Sequence, residues 1–443
     1  MKARILTTTL LTGLTLGTLL AQTFNKPKLD SLMNALAEKN KAMGSVVISK
    51  KGKVIYSRAI GQRSISGNQK LPANDLTRYR IGSITKTFTA TMIFQLIEEG
   101  KLSLATTVDA YFPQLPNAGK ITISNLLNHR SGLHNFTDDP TYESWMTQPK
   151  THEEMLAQIA RSPVDFQPNE RFSYSNSNYV VLGYILEKIT KATYQENLQR
   201  RITSKIGLAN TYVGGKTDPG KNESYSYHFS TQWEQGPETD LSIPAGAGAI
   251  VSTPTDLVKF IEALFALKLI SDGSLTQMKT LTDGYGMGMF PTPFYDKMAY
   301  GHNGGIDGFV SILEYFPEDS LAIAYCTNGH VYPYNNILIG VSSIYFNKPY
   351  AVPTFRTIAL KSEDLDKYLG VYASTLIPLK ITITKDGTTL ISQATDQSAI
   401  PLEATDQHTF TFDPAGIVME FNPDKKELTL KQGGETVVFT KEN

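Results

Sequence analysis

From residue 84 to about 270 the apolar residues recur at helical spacing, whereas on both sides of that stretch they alternate in short runs. The chain must therefore fold strands from both of its ends against a helical middle. Leu29, Leu32, Met33 and Leu36 predict a first helix. Val46 to Ile48 and Val54 to Tyr56 then flank Lys51-Gly52 as strand, turn and strand. Strands return at Tyr285 to Met289, Tyr300 to His302, Val310 to Tyr315 and Leu321 to Thr327, with a turn at Pro317-Glu318-Asp319, and a last helix covers Asn335 to Phe346. Thr253-Pro254-Thr255-Asp256 predicts a helix start, because threonine caps, proline suits the first position and an acid is favourable in the first turn. The class that follows is α+β, a mixed antiparallel sheet flanked by a helical lobe.

Around Pro349-Tyr350-Ala351-Val352-Pro353 helices give way to short alternating segments. Lys380 to Thr384, Thr388 to Ser392, Thr409 to Phe412, Val418 to Phe421, Glu427 to Lys431 and Thr436 to Thr440 read as strands, and Asp386-Gly387, Asp413-Pro414, Asn422-Pro423-Asp424 and Gly433-Gly434 as turns. An antiparallel barrel or sandwich of about 80 residues is predicted. The expected division is a larger domain over 23–350, a linker over 351–364 and an all-β domain over 365–443. Ahead of these, Lys2, Arg4, an apolar stretch from Ile5 to Leu20 and Ala21-Gln22-Thr23 have the layout of a secretory signal over 1–21, so a periplasmic or secreted protein without stable membrane insertion is expected.

Ser83 and Lys86 stand three residues apart where an amphipathic helix carrying Phe88, Met92, Ile93, Leu96 and Ile97 begins. Residues three apart share a helix face, so the lysine nitrogen can reach the serine hydroxyl. The free amides of the first helical turn point toward whatever the serine attacks. That combination is what an activated nucleophile requires. The plain alternative is a capping serine followed by a solvated lysine. Tyr174-Ser175-Asn176 lies in a polar turn before the apolar run from Val180, and such turns present side chains. His302-Asn303-Gly304 lies in a glycine-rich strand that a ligand can approach closely. Tyr334-Asn335-Asn336 repeats the tyrosine and asparagine spacing but stands after the histidine, so order separates the two.

Ser83-x-x-Lys86, then Tyr174-x-Asn176, then His302-x-Gly304 resembles the penicillin-recognising serine hydrolases: class C type β-lactamases, D-alanyl-D-alanine carboxypeptidases, D-aminopeptidases and related esterases. Leu126 to Leu133 and Gly246 to Leu257 are similar to further segments of that family, and the likeness covers roughly residues 25 to 350. The resemblance implies the family's sheet and helix fold, with the site between the two layers, and a lipocalin-like C-terminal domain of structural or substrate-gating role. It implies Ser83 as nucleophile, Lys86 or Tyr174 as the base, and the backbone amides of Ser83 and Gly305 as the oxyanion hole beside Gly304. Asn176 is expected to bind the substrate amide or orient Lys86. Histidine stands at 302 where several relatives carry lysine, which points away from a dedicated β-lactamase. His302 is expected to donate to a substrate carboxylate or to Tyr174, charged part of the time near neutral pH.

The 42 basic and 42 acidic residues cancel, so nothing suggests a nucleic-acid partner. The single cysteine, Cys326, sits in an apolar strand pattern and is expected to be a buried thiol. His152-Glu153-Glu154 lacks the second histidine of a zinc-protease helix, and neither a metal nor a cofactor is expected. The expected substrate is a small peptide, ester or β-lactam, and the leading function a D-amino-acid peptidase. An esterase or class C-like β-lactamase uses the same residues, and a non-catalytic penicillin or muropeptide receptor is the alternative from another class. Tyr225, Tyr227, His228, Phe229 and Trp233 are expected to wall the cleft or to form an ordinary packed loop.

Overall fold

The computed structural model describes residues 24–230, 232–432 and 435–442; the expected secretory signal and the expected Gly433-Gly434 turn lie outside them. Helix α1, Lys26–Glu38, leads into the hairpin β1, Ala42–Lys50, and β2, Lys53–Ile60. The helical lobe includes α2, Thr85–Glu98, α3, Ile123–Leu127, α4, Asn176–Thr190, α5, Ala245–Gly248, and α6, Pro254–Phe265. The chain returns through β3, Phe290–Phe294, β4, Lys297–Ile306, β5, Phe309–Phe316, and β6, Leu321–His330, before α7, Tyr334–Tyr345. The six strands form one antiparallel sheet in the order β3-β4-β5-β6-β1-β2, so the two ends of the region pair in its middle, with Val46 opposite Tyr325.

Alternation decides which face each side chain takes. Val47, Ala322, Ala324 and Cys326 face the helical lobe, while Val46, Ile48, Ile323 and Tyr325 face α1 and α7. Both faces are covered, which is why β6 reads as an unbroken apolar run rather than an alternating one. Cys326 is a fully buried free thiol. Thr253 caps α6 by accepting the Asp256 N–H, with Pro254 in the first turn. The second tyrosine and asparagine pair, Tyr334-Asn335-Asn336, opens α7.

Three local expectations change. Residues Tyr285 to Met289 form an isolated bridge, Tyr285 with Thr282, and then a bend rather than a strand, because Gly288 takes a φ of +78° and the strand starts only at Phe290. Helix α2 is not an amphipathic surface helix: every residue from Thr85 to Leu96 is buried. Its buried polar residues include threonines whose hydroxyls bond internally, Thr87 to the Gly288 carbonyl at 2.7 Å and Thr89 to the Gly246 carbonyl at 2.6 Å. The aromatic stretch around Tyr227 forms a small hairpin, Tyr227–Phe229 with Trp233–Gln235.

The C-terminal strands are β7, Gly370–Ala373, β8, Lys380–Asp386, β9, Thr389–Ala394, β10, Ile400–Asp406, β11, Thr409–Phe412, β12, Ile417–Asn422, β13, Glu427–Gln432, and β14, Glu435–Lys441. They close into a barrel rather than a sandwich, with Tyr372 on β7 opposite Lys441 on β14. Side chains including Tyr368, Tyr372, Ile381, Phe410 and Phe439 fill its interior. Residues 351–361 carry no regular structure. The barrel meets the rest of the protein through Lys41, which pairs with Asp413 at 2.7 Å.

Candidate active site

Ser83 sits on a single 3-10 turn, Gly82–Ile84, that runs directly into α2. That turn rests on the backbone of β4. A side-chain carbon on Gly304 would lie 2.1 Å from the Ile81 carbonyl oxygen and 2.8 Å from the Ser83 amide nitrogen, so only glycine permits the approach. Ser311, opposite Gly304 on β5, donates its hydroxyl to the same Ile81 carbonyl at 2.7 Å and pins turn to sheet. Ser83 and Gly305 consequently line one cleft, of about 260 Å³, at the junction of sheet and helical lobe.

Lys86 follows one turn later and is fully buried, unlike a solvated surface lysine. Its nitrogen lies 2.9 Å from Ser83 Oγ, 2.8 Å from Asn176 Oδ1 and 2.9 Å from the Ala247 carbonyl oxygen. Asn176 opens α4, and its amide orientation is set because Nδ2 donates to Asn135 Oδ1 and Thr137 Oγ1, both at 3.2 Å. Burial holds the Lys86 amine well below its ordinary pKa. A neutral amine has two hydrogens and one lone pair. Two neighbours, Asn176 Oδ1 and the Ala247 carbonyl, can only accept, which leaves the lone pair for the Ser83 hydroxyl. The three contacts thus match a base poised on a nucleophile.

Tyr174 is half-buried rather than presented to solvent. Its ring lies 4.9 Å from Lys86 Nζ, against the His129 ring at 4.3 Å between centroids. Burial raises its pKa, with a smaller opposing pull from the Ser83 hydroxyl, although no hydrogen bond of normal geometry joins the two. The phenol therefore rests in its protonated form.

His302 departs from expectation. It is buried beneath the cleft, and its Nε2 pairs with Tyr285 Oη at 3.0 Å rather than with Tyr174, whose ring centroid is 6.3 Å away. Nδ1 lies against the Asn303 carbonyl, which can only accept, so the hydrogen sits on Nδ1 and Nε2 accepts from the tyrosine. Burial, with the nearby Lys86, lowers the His302 pKa to about 3, so the ring is uncharged at neutral pH. It acts as a neutral strut under the strand and offers no cation to a substrate carboxylate.

Phe136, Tyr142, Met146 and Ile306 form an apolar wall, with Thr239 and Asp307 at its edge. The Asp307 carboxylate is already engaged by Arg80 Nη1 at 2.9 Å and by the Thr239 N–H at 3.0 Å. Among the described residues no lysine, arginine or histidine side chain lines this cleft, and neither the Tyr227 hairpin nor any barrel residue reaches it. Tyr285, Ser311, Asn135 and the Ala247 carbonyl were not marked out as parts of the site by the sequence. Ala247 lay in a segment noted only by resemblance, and Tyr285 in a predicted strand.

The beta-lactamase family profile matches residues 29–337. Penicillin-binding protein 4* of Bacillus subtilis strain 168 is 27% identical over 386 residues, 79% of this chain and 83% of that protein. A teichoic acid D-alanine hydrolase of Staphylococcus aureus strain MRSA252 is 27% identical over 320 residues, 69% of this chain and 76% of its own. Among solved structures, the D-amino acid amidase of Ochrobactrum anthropi SV3 complexed with L-phenylalanine amide superposes with a TM-score of 0.63 at 26% identity, over 72% of this chain and 99% of that one. No helix of the described residues is long and apolar enough to cross a membrane. Profile, relatives and the Ser83 geometry converge, and the chain belongs to the beta-lactamase family of serine hydrolases.

Proposed function

We propose that the protein hydrolyses D-amino-acid amides or esters whose leaving group carries no carboxylate, through an acyl-enzyme on Ser83. The observation that carries this reading is the cleft itself, which holds a poised serine and an apolar wall and no cationic side chain. A carboxypeptidase substrate and a β-lactam both bring a carboxylate into such a cleft, and a charge buried without a partner is costly. An aminopeptidase, amidase or D-alanyl esterase substrate brings an ammonium instead, for which the lining offers an anionic neighbour, Asp307, and no competing cation among the described residues. The amidase and the teichoic acid D-alanine hydrolase named above act, by their names, on compounds of that kind.

In the proposed sequence, Ser83 Oγ attacks the acyl carbon while its proton passes to the Lys86 lone pair. The carbonyl oxygen becomes an oxyanion facing the amides of Ser83 and Gly305. The protonated Tyr174 phenol or the new Lys86 ammonium returns a proton to the leaving nitrogen or oxygen, and the scissile bond breaks. The ammonium is steadied meanwhile by the Tyr174 and Tyr179 rings, at 4.9 and 5.7 Å from Lys86 Nζ. Water then attacks the acyl carbon, Ser83 recovers its proton, and the acid departs.

Two outcomes test the reading. Steady-state kinetics should give D-phenylalanine amide a kcat/KM about 30-fold or more above N-acetyl-D-alanyl-D-alanine, matching the ~2 kcal/mol lower end for an unpaired buried charge. Equal or reversed preference would sink the proposed substrate class. Gly304→Ala should lower kcat by about 10²- to 10³-fold, the usual loss when an oxyanion donor is displaced, with the circular dichroism spectrum unchanged. Turnover within threefold of wild type would show that the Gly304 contact does not set the Ser83 amide.

A further inference from the structure

We propose that His129, which follows α3, is a positioning residue that holds the Tyr174 phenol against Lys86, an inference that rests on the acyl-enzyme reading above. His129 grips the chain on both sides of Tyr174. Its backbone carbonyl accepts the Ser173 N–H at 2.9 Å, and its ring Nδ1 accepts the Ser175 N–H at 3.1 Å. Between these two anchors the flat of the imidazole lies against the Tyr174 ring, 4.3 Å between centroids with 32° between planes. The same ring lies 4.9 Å from Lys86 Nζ. Tyr174 is therefore clamped in position and in tilt by one residue.

The direction of every hydrogen bond around the clamp is fixed by its neighbours. The Leu133 N–H donates to Ser131 Oγ at 3.0 Å, so the Ser131 hydroxyl hydrogen goes to Asn178 Oδ1. That sets the Asn178 amide, whose Nδ2 donates to His129 Nδ1 at 3.2 Å. With two donors aimed at it, Nδ1 carries no hydrogen, and the ring holds the tautomer protonated at Nε2. Burial pushes the His129 pKa well down, so the ring stays neutral. Nε2 is buried without a hydrogen-bond partner, and the Tyr179 and Tyr285 rings pack on the imidazole, 5.2 and 4.9 Å between centroids. An apolar residue would leave the Ser175 N–H buried without an acceptor. The backbone is unusual as well: φ is +58°, a region that asparagine tolerates better than branched or bulky residues.

The test is a double-mutant cycle on the full-length protein with p-nitrophenyl acetate as the probe of acyl-enzyme turnover. His129→Leu should lower kcat by about 10²-fold with KM within threefold, the loss expected when a reacting group is misplaced by about 1 Å. His129→Asn keeps an acceptor and tolerates the backbone, and should recover at least tenfold of that loss. In a Tyr174→Phe background the same His129 substitutions should cost less than threefold, because the group they position is gone. Losses that multiply in that background, or an asparagine variant no better than leucine, overturn the proposal. Should His129→Leu fail to fold, His129→Asn with and without Tyr174→Phe decides alone: a several-fold loss confined to the Tyr174 background supports the clamp, and an equal loss or none in both overturns it. Wild-type turnover that does not depend on Ser83 would instead overturn the hydrolase reading.

Discussion

Ser83→Ala should reduce kcat by about 10⁵- to 10⁶-fold while leaving the fold intact, the scale of loss when a serine nucleophile that works with its base is removed. The structure predicts the separation of these two effects. Ser83 is half-exposed on its turn, and the one hydrogen bond of normal geometry its hydroxyl makes is to Lys86 Nζ, with the Tyr174 phenol close by. Alanine removes that one bond, while the Gly304 approach and the Ser311 anchor that shape the turn do not involve the Ser83 side chain. The thermal midpoint should therefore stay within about 2 °C of wild type, as for a single marginal hydrogen bond. Intact-mass spectrometry after a fluorophosphonate should show one adduct on the wild type and none on Ser83→Ala. Residual activity above one part in a hundred would assign the chemistry to another group. A variant that binds ligand like wild type but turns nothing over separates an enzyme from a receptor, since a receptor would lose no function.

The elements of this site were legible in the sequence where chemistry is local. Ser83 and Lys86 share a helix face by spacing alone, and Gly304-Gly305 announced a close approach before its partner was known. What was not legible depends on where distant segments land. His302 pairs with Tyr285 because Gly288 turns the chain out of the predicted strand, a backbone choice with no trace in the apolar pattern. The polar positions of α2 suggested an exposed face, yet carbonyls from Gly246 and Gly288 satisfy its threonines. Periodicity reports apolar side chains and does not reveal a partner supplied by a residue 157 or 201 positions away.

The barrel shows the same limit. Six of its strands followed from alternation and turn dipeptides, but β7 and β10 did not. Pro401 disfavours a strand there, since proline cannot donate to a ladder. The sheet accommodates it because β9 and β10 pair over only three positions, Leu390 with Leu402, Ile391 with Pro401 and Ser392 with Ile400. Side chains fill the barrel's interior, and no described barrel residue lines the cleft.

Lys86→Met should lower kcat by about 10²- to 10⁴-fold, the range for removing a positioned general base, and Lys86→Arg should fare no better. Arginine keeps a positive charge and a donor, but it does not deprotonate, so it cannot accept the Ser83 proton. An arginine variant with more than a tenth of wild-type kcat would show that Lys86 serves only as a fixed cation, and would move the base to Tyr174. The pH dependence adds a second reading. Because burial places the folded pKa of Lys86 well below 10.5, kcat/KM should rise along an acid limb as the amine loses its proton, and His302, with a pKa of about 3, should contribute nothing between pH 5 and 8. Stability should move with the same proton. Below the folded pKa the protein bears the full cost of a buried ammonium. Between that value and 10.5 the unfolded chain binds more protons at this site, so stability climbs with pH. Lys86→Met lacks the group, and the wild type should gain thermal midpoint relative to it as pH is raised toward 9.5. A difference that stays flat with pH would mean that Lys86 is charged in the fold and that the neutral-amine mechanism is wrong.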